Sequence, residues 1–71
     1  MKMVPILSLA QLQSKAKTDP NYKRLAILAA ENLGGSPGES LDEAMQWLNT
    51  NAQETDEEGV VEEINFCRSL V

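Results

Sequence analysis

Four short stretches of this 71-residue chain carry the chemistry that starts a helix, and they constrain its fold more than any other feature. Ser40-Leu41-Asp42-Glu43 and Thr55-Asp56-Glu57-Glu58 both have the form S/T-x-x-E. In that pattern the hydroxyl accepts from an orphan backbone N–H, and the glutamate reaches back to another. Ser8-Leu9-Ala10-Gln11 is a weaker version with glutamine. Asp19-Pro20 begins a helix differently, with aspartate as N-cap and proline at the first helical position. The stops agree with these starts. Gly34-Gly35 follows Leu33 as a C-terminal glycine signal, and Thr18-Asp19-Pro20 closes whatever precedes it. The pattern predicts helices at about 9–17, 20–33, 41–52 and 56–70, with one real loop at Gly35-Ser36-Pro37-Gly38. The expected fold is all-α, a compact bundle of about four short helices with helix 2 central.

The apolar faces set the expected packing. Helix 1 has a narrow stripe of Leu9, Leu12 and Ala16, suited to lying across the others. Helix 2 is apolar almost all round (Tyr22, Leu25, Ala26, Ile27, Leu28, Ala29, Ala30, Leu33), the pattern of a buried helix. Helix 3 offers Leu41, Ala44, Met45, Leu48 and Ala52. Helix 4 sets Val60, Ile64, Cys67 and Val71 on one seam, widened by Val61 on one side and by Phe66 and Leu70 on the other. That arc is wider than a surface helix of a small monomer needs. It implies either wrapping by helices 1 and 2 or contact with another chain. At the N-terminus Met3, Val4, Ile6 and Leu7 could form a short edge strand, limited by Pro5. An extended lead-in over residues 1–8, packed on the bundle, is the preferred expectation.

Cysteine and histidine counts remove several classes. Cys67 is the only cysteine and there is no histidine, so neither a disulfide framework nor a structural zinc site can be built. Ser8, Ser14, Ser36, Ser40 and Ser69 have no histidine to activate them, nor has Cys67. A bundle this small offers little cleft in which two carboxylates could converge. The expectation is a non-enzyme with no cofactor and no metal. The longest apolar run, Leu25 to Ala30, is too short to span a bilayer. A lone cysteine without a secretory leader suits a reducing cytoplasm, so a single small cytoplasmic domain is expected.

Charge is sorted by half. Residues 1–35 hold five bases against two acids, and residues 36–71 hold nine acids against Arg68 alone. The acidic half repels nucleic acid and attracts basic protein surfaces at salt-dependent rates. The run Glu54, Asp56, Glu57, Glu58, Glu62 and Glu63 has two readings. It is either a solvated helix start whose acids complement the macrodipole, or a docking surface for a basic or nucleic-acid-binding partner protein. It lacks the alternating spacing and central glycine of a calcium loop. Trp47, the only tryptophan, lies off the Leu41–Leu48 seam. It is either a ring covering the edge of the core or an exposed anchor, and Phe66 has the same two readings. The expected function is an acidic protein-binding module, steered by its C-terminal half and anchored by Trp47, Phe66 and helix 4. The opposing class is a homodimer formed through helix 4.

Two further readings arise mid-chain. Glu39-Ser40-Leu41-Asp42 resembles the Asp-Ser-Leu attachment site of acyl carrier proteins, departing from it at Glu39. The resemblance covers four residues and implies a phosphopantetheine carried on Ser40. The long first loop of that family has no counterpart, because helix 2 follows helix 1 directly. Helix 2, the glycine turn and helix 3 also suggest a helix-turn-helix, in which helix 3 would enter the groove. It would present Glu39, Asp42 and Glu43 with no base, so direct nucleic-acid binding is disfavoured.

Overall fold

A computed structural model describes residues 6–70 of the chain. Helix α1 (Leu9–Ala16) begins at the glutamine-containing box, and here the box is complete. The Gln11 N–H donates to Ser8 Oγ at 3.2 Å, and the Ser8 N–H donates to Gln11 Oε1 at 3.1 Å. Helix α2 (Pro20–Asn32) starts on Asp19, whose Oδ1 accepts from the Asn21 N–H at 2.9 Å. It ends in a Schellman motif. Gly34, at φ +97°, donates to the Glu31 carbonyl, and Gly35 donates to the Ala30 carbonyl at 2.8 Å.

The third helical run is longer than the sequence suggests. Helix α3 (Leu41–Asn51) passes without a loop into a π-helical turn (Ala52–Asp56), and this into helix α4 (Glu57–Arg68). Among the described residues there are therefore three helical runs, the last one jointed, where the sequence predicts four separate helices. The reason is local. No glycine or proline lies between Leu41 and Glu58, so the expected break rested on the Thr55 box alone. That box does not form. The residue before α4 is Asp56, extended at φ −163° and ψ 102°, and its side chain makes no capping hydrogen bond. Gly59 admits the Asp56 carboxylate to the first turn, since a Cβ there would lie 2.9 Å from Oδ2. The Ser40 box is half formed. Ser40 Oγ accepts from the Glu43 N–H at 3.2 Å, while the Ser40 N–H goes to the Pro37 carbonyl.

Helix α2 packs against α1, α3 and α4. Its Ala26, Ala29 and Ala30 are fully buried, and such small side chains let the neighbouring backbones approach closely. Leu12, Leu25, Leu48, Ile64 and Cys67 are the largest completely buried side chains. No described polar or charged residue is buried in this core. The Cα radius of gyration, 11.2 Å, matches the roughly 11 Å expected of a folded chain this long. No described helix is long and apolar enough to cross a membrane.

At the N-terminus the described part of the predicted lead-in is irregular rather than a strand. Met3, Val4 and Pro5 lie outside the described residues, as does Val71 of the helix 4 seam. Leu7 is buried and held by an unanticipated clasp. Its N–H donates to Asn65 Oδ1 at 3.0 Å, and its carbonyl accepts from Asn65 Nδ2 at 3.1 Å. The same Nδ2 also donates to the Val61 carbonyl at 2.8 Å. One amide thus satisfies both backbone groups of a residue 58 positions away. Asn65→Leu should cost about 1–3 kcal/mol, because it leaves half-buried backbone groups without partners. Chemical denaturation checks this, and hydrogen exchange at Leu7 should accelerate in step. An unchanged denaturation midpoint would refute the clasp.

Candidate functional site

The predicted site residues do not form one patch. They divide into three groups according to which face of α4 or α3 carries them.

The first group is an exposed ridge. Glu58, Glu62, Phe66 and Leu70 follow each other at four-residue intervals along α4 and its last turn, and all four are exposed. Phe66 and Leu70 are each 60% exposed. The wide apolar arc of α4 is therefore divided. Val60, Ile64 and Cys67 face the core, Val61 is half-buried, and Phe66 with Leu70 is left open. Intramolecular packing does not cover them. Ile6, just before the clasp, is exposed as well.

The second group does not continue that ridge. Glu57 faces the groove between α1 and α3, lined also by Leu9, Gln13, Asn49 and Gln53. Glu54 and Asp56 lie on the π-helical turn, both exposed. Glu63 is directed inward. Its Oε2 accepts from Asn32 Nδ2 at 3.0 Å and lies 3.5 Å from Cys67 Sγ, which donates to it. Asn32 Nδ2 also contacts that sulfur at 3.2 Å. Asn32, Glu63 and Cys67 together tie the end of α2 to α4.

This cluster makes the thiol less acidic. Burial pushes the Cys67 pKa up, the hydrogen bond to Glu63 and its negative charge push it further, and Asn32 draws it partly back. A thiolate is thus disfavoured where a nucleophile would need one. Because the folded-state pKa exceeds the ordinary 9.0, this contribution to stability is complete below 9.0 and is lost as pH rises above it through the raised folded-state pKa. Denaturation midpoints should fall above about pH 9 more steeply for the wild type than for Cys67→Ala. Parallel pH profiles would contradict this.

Trp47 forms the third group, on α3. Its Nε1 donates to the Leu33 carbonyl at 3.2 Å, at the end of α2. Its pyrrole ring lies over Gly35, where an added Cβ would be 2.9–3.0 Å from three ring atoms. Gly34 lies near the benzo ring, a Cβ there being 3.9 Å from Cζ2. The indole covers the α2 C-cap and keeps 38% of its surface exposed. Beside it lies an open concavity lined by Ser36, Pro37, Glu43, Gln46 and Thr50.

Sequence reasoning missed Asn65, Asn32 and the ring-on-glycine contact. Only the last left a local signal. A Schellman motif needs one glycine at positive φ, so the second glycine in Gly34-Gly35 marks a close approach.

Among the described residues no cluster of three histidine, cysteine or acidic side chains is placed to hold a metal ion. Ser40 is engaged as the N-cap of α3. Comparison with known protein families, with curated proteins and with solved structures finds no match.

Proposed function

We propose that this chain is a protein-binding module without catalytic activity, which docks a basic partner protein through its acidic C-terminal half. One observation carries the reading: along α4 and the turn that follows it, an exposed apolar pair, Phe66 and Leu70, continues a ridge begun by the exposed acids Glu58 and Glu62. Acids at one end of such a ridge steer a basic surface, and the adjoining apolar side chains supply contact area that water would otherwise cover. With an excess of acids over its whole length, the chain attracts basic surfaces at long range, and salt weakens that attraction. Glu63 belongs to the fold rather than to the docking surface, because its carboxylate is engaged with Asn32 and Cys67.

The test is paired affinity capture from the cells that make the protein. Three baits are compared: the wild type, the double variant Glu58→Lys/Glu62→Lys, and Phe66→Ala. The same basic protein should be held by the wild type and released by a salt step. Both variants should retain it roughly tenfold less well, the usual effect of losing a central contact or reversing a steering charge. Equal retention on all three baits would sink the reading. The same exposed pair also supports the second reading, a homodimer through α4.

A further inference from the structure

We propose that the concavity beside Trp47 is a subsite for one cationic side chain, an arginine or lysine of the partner. The inference rests on the reading above that the partner is basic, and it adds a second point of contact on a different helix. Glu43, Gln46, Trp47 and Thr50 line the concavity from α3. They stand at positions i, i+3, i+4 and i+7, which makes one continuous stripe. This stripe is not the one that packs the core, which Ala44, Met45 and Leu48 supply. Ser36 and Pro37 close its far side.

The chemistry of this lining selects a cation. Glu43 is exposed, and among the described residues none donates to its carboxylate, while its backbone N–H donates to Ser40 Oγ. One face of the Trp47 ring is covered by Gly34 and Gly35, and its N–H is held by the Leu33 carbonyl. Trp47 keeps 38% of its surface exposed and lines the concavity. Tryptophan is the aromatic side chain whose face attracts a cation most strongly. Gln46 and Thr50 supply neutral oxygens able to accept from a guanidinium or ammonium group. No lysine or arginine lines the concavity, and its one charged side chain, Glu43, repels an anion. The concavity on the outer side of α2 differs, being lined by Lys23 and Arg24.

Trp47 is the only tryptophan, so its fluorescence reports on this place alone. Tri-arginine amide is titrated at low ionic strength, followed by Trp47 fluorescence and by amide chemical shifts. Saturable binding is expected, with shifts centred on residues 43–50 and on Ser36. Glu43→Gln should weaken it roughly fivefold, the scale of losing a charge from an exposed cation site. Asp42→Asn removes the same charge one residue away, outside the concavity, and should weaken it less than twofold by screening alone. Equal weakening by the two variants would mean diffuse attraction and would overturn the subsite. Shifts confined to α4 would overturn it too, while leaving the docking reading intact. Absence of saturation would likewise overturn the subsite, and the docking reading would still be decided by the paired capture.

Discussion

Leu48→Ala should leave the chain largely unfolded at room temperature. Leu48 is completely buried on α3, in the core formed with α2 and α4. Removing such a side chain costs about 2–5 kcal/mol, the lost transfer energy plus the cavity left behind. A single core in a domain this small supplies only about 3–5 kcal/mol in all. The loss is therefore comparable to the whole stability. Urea denaturation followed by circular dichroism should show no cooperative transition, or one with its midpoint near zero denaturant. Phe66→Ala is the contrast, since it removes more atoms from a largely exposed position and should shift stability by less than about 0.5 kcal/mol. A Leu48→Ala protein as stable as Phe66→Ala would show that the core is not where it is described.

The second large effect concerns a glycine whose backbone any residue could adopt. Gly35 is not at positive φ, unlike Gly34 and Gly38. What excludes a side chain at Gly35 is the Trp47 ring, 2.9–3.0 Å from where a Cβ would stand. The ring cannot slide freely, because its N–H is bonded to Leu33 and its helix is packed on α2. Gly35→Ala should cost about 1–3 kcal/mol, the usual range for overpacking. In a Trp47→Leu background the same substitution should cost much less, an interaction energy that only a direct contact produces. Additive effects across that cycle would rule the contact out.

These two cases show what kind of information the sequence holds. The starts at Ser8, Asp19 and Ser40 were legible because a cap is decided within four residues. The all-helical class followed from those caps and from apolar spacing. The joint between α3 and α4 was not legible in the same way. A capping box records what a segment can do if it begins a helix, and Thr55 lies within a run that nothing upstream terminates. Long-range polar contacts were invisible for a different reason. Asn65 looks like any half-exposed helix residue until Leu7, at the other end of the chain, is placed beside it.

The candidate site divides in the same manner. Composition identified the acids but not their directions. The acidic run looked uniform, yet Glu57 faces α1, Glu63 is engaged by Asn32 and Cys67, and only Glu58 and Glu62 continue into Phe66. Periodicity gives a side chain's angle on its own helix, whereas the position of the neighbouring helices decides whether that angle is covered. For Trp47 the structure shows the covering role, while its role as a partner anchor is a proposal. The ring closes the end of α2, keeps 38% of its surface exposed, and lines a concavity with Glu43.

On the proposed reading, the exposed Phe66–Leu70 end of the ridge meets a foreign protein and is not closed by a second copy. Sedimentation equilibrium of the purified chain, across micromolar concentrations and at two salt levels, tests this most directly. A monomer at every concentration, with Phe66→Glu behaving identically, is expected. A dimer that Phe66→Glu dissociates would contradict it, because the surface assigned to the partner would already be occupied.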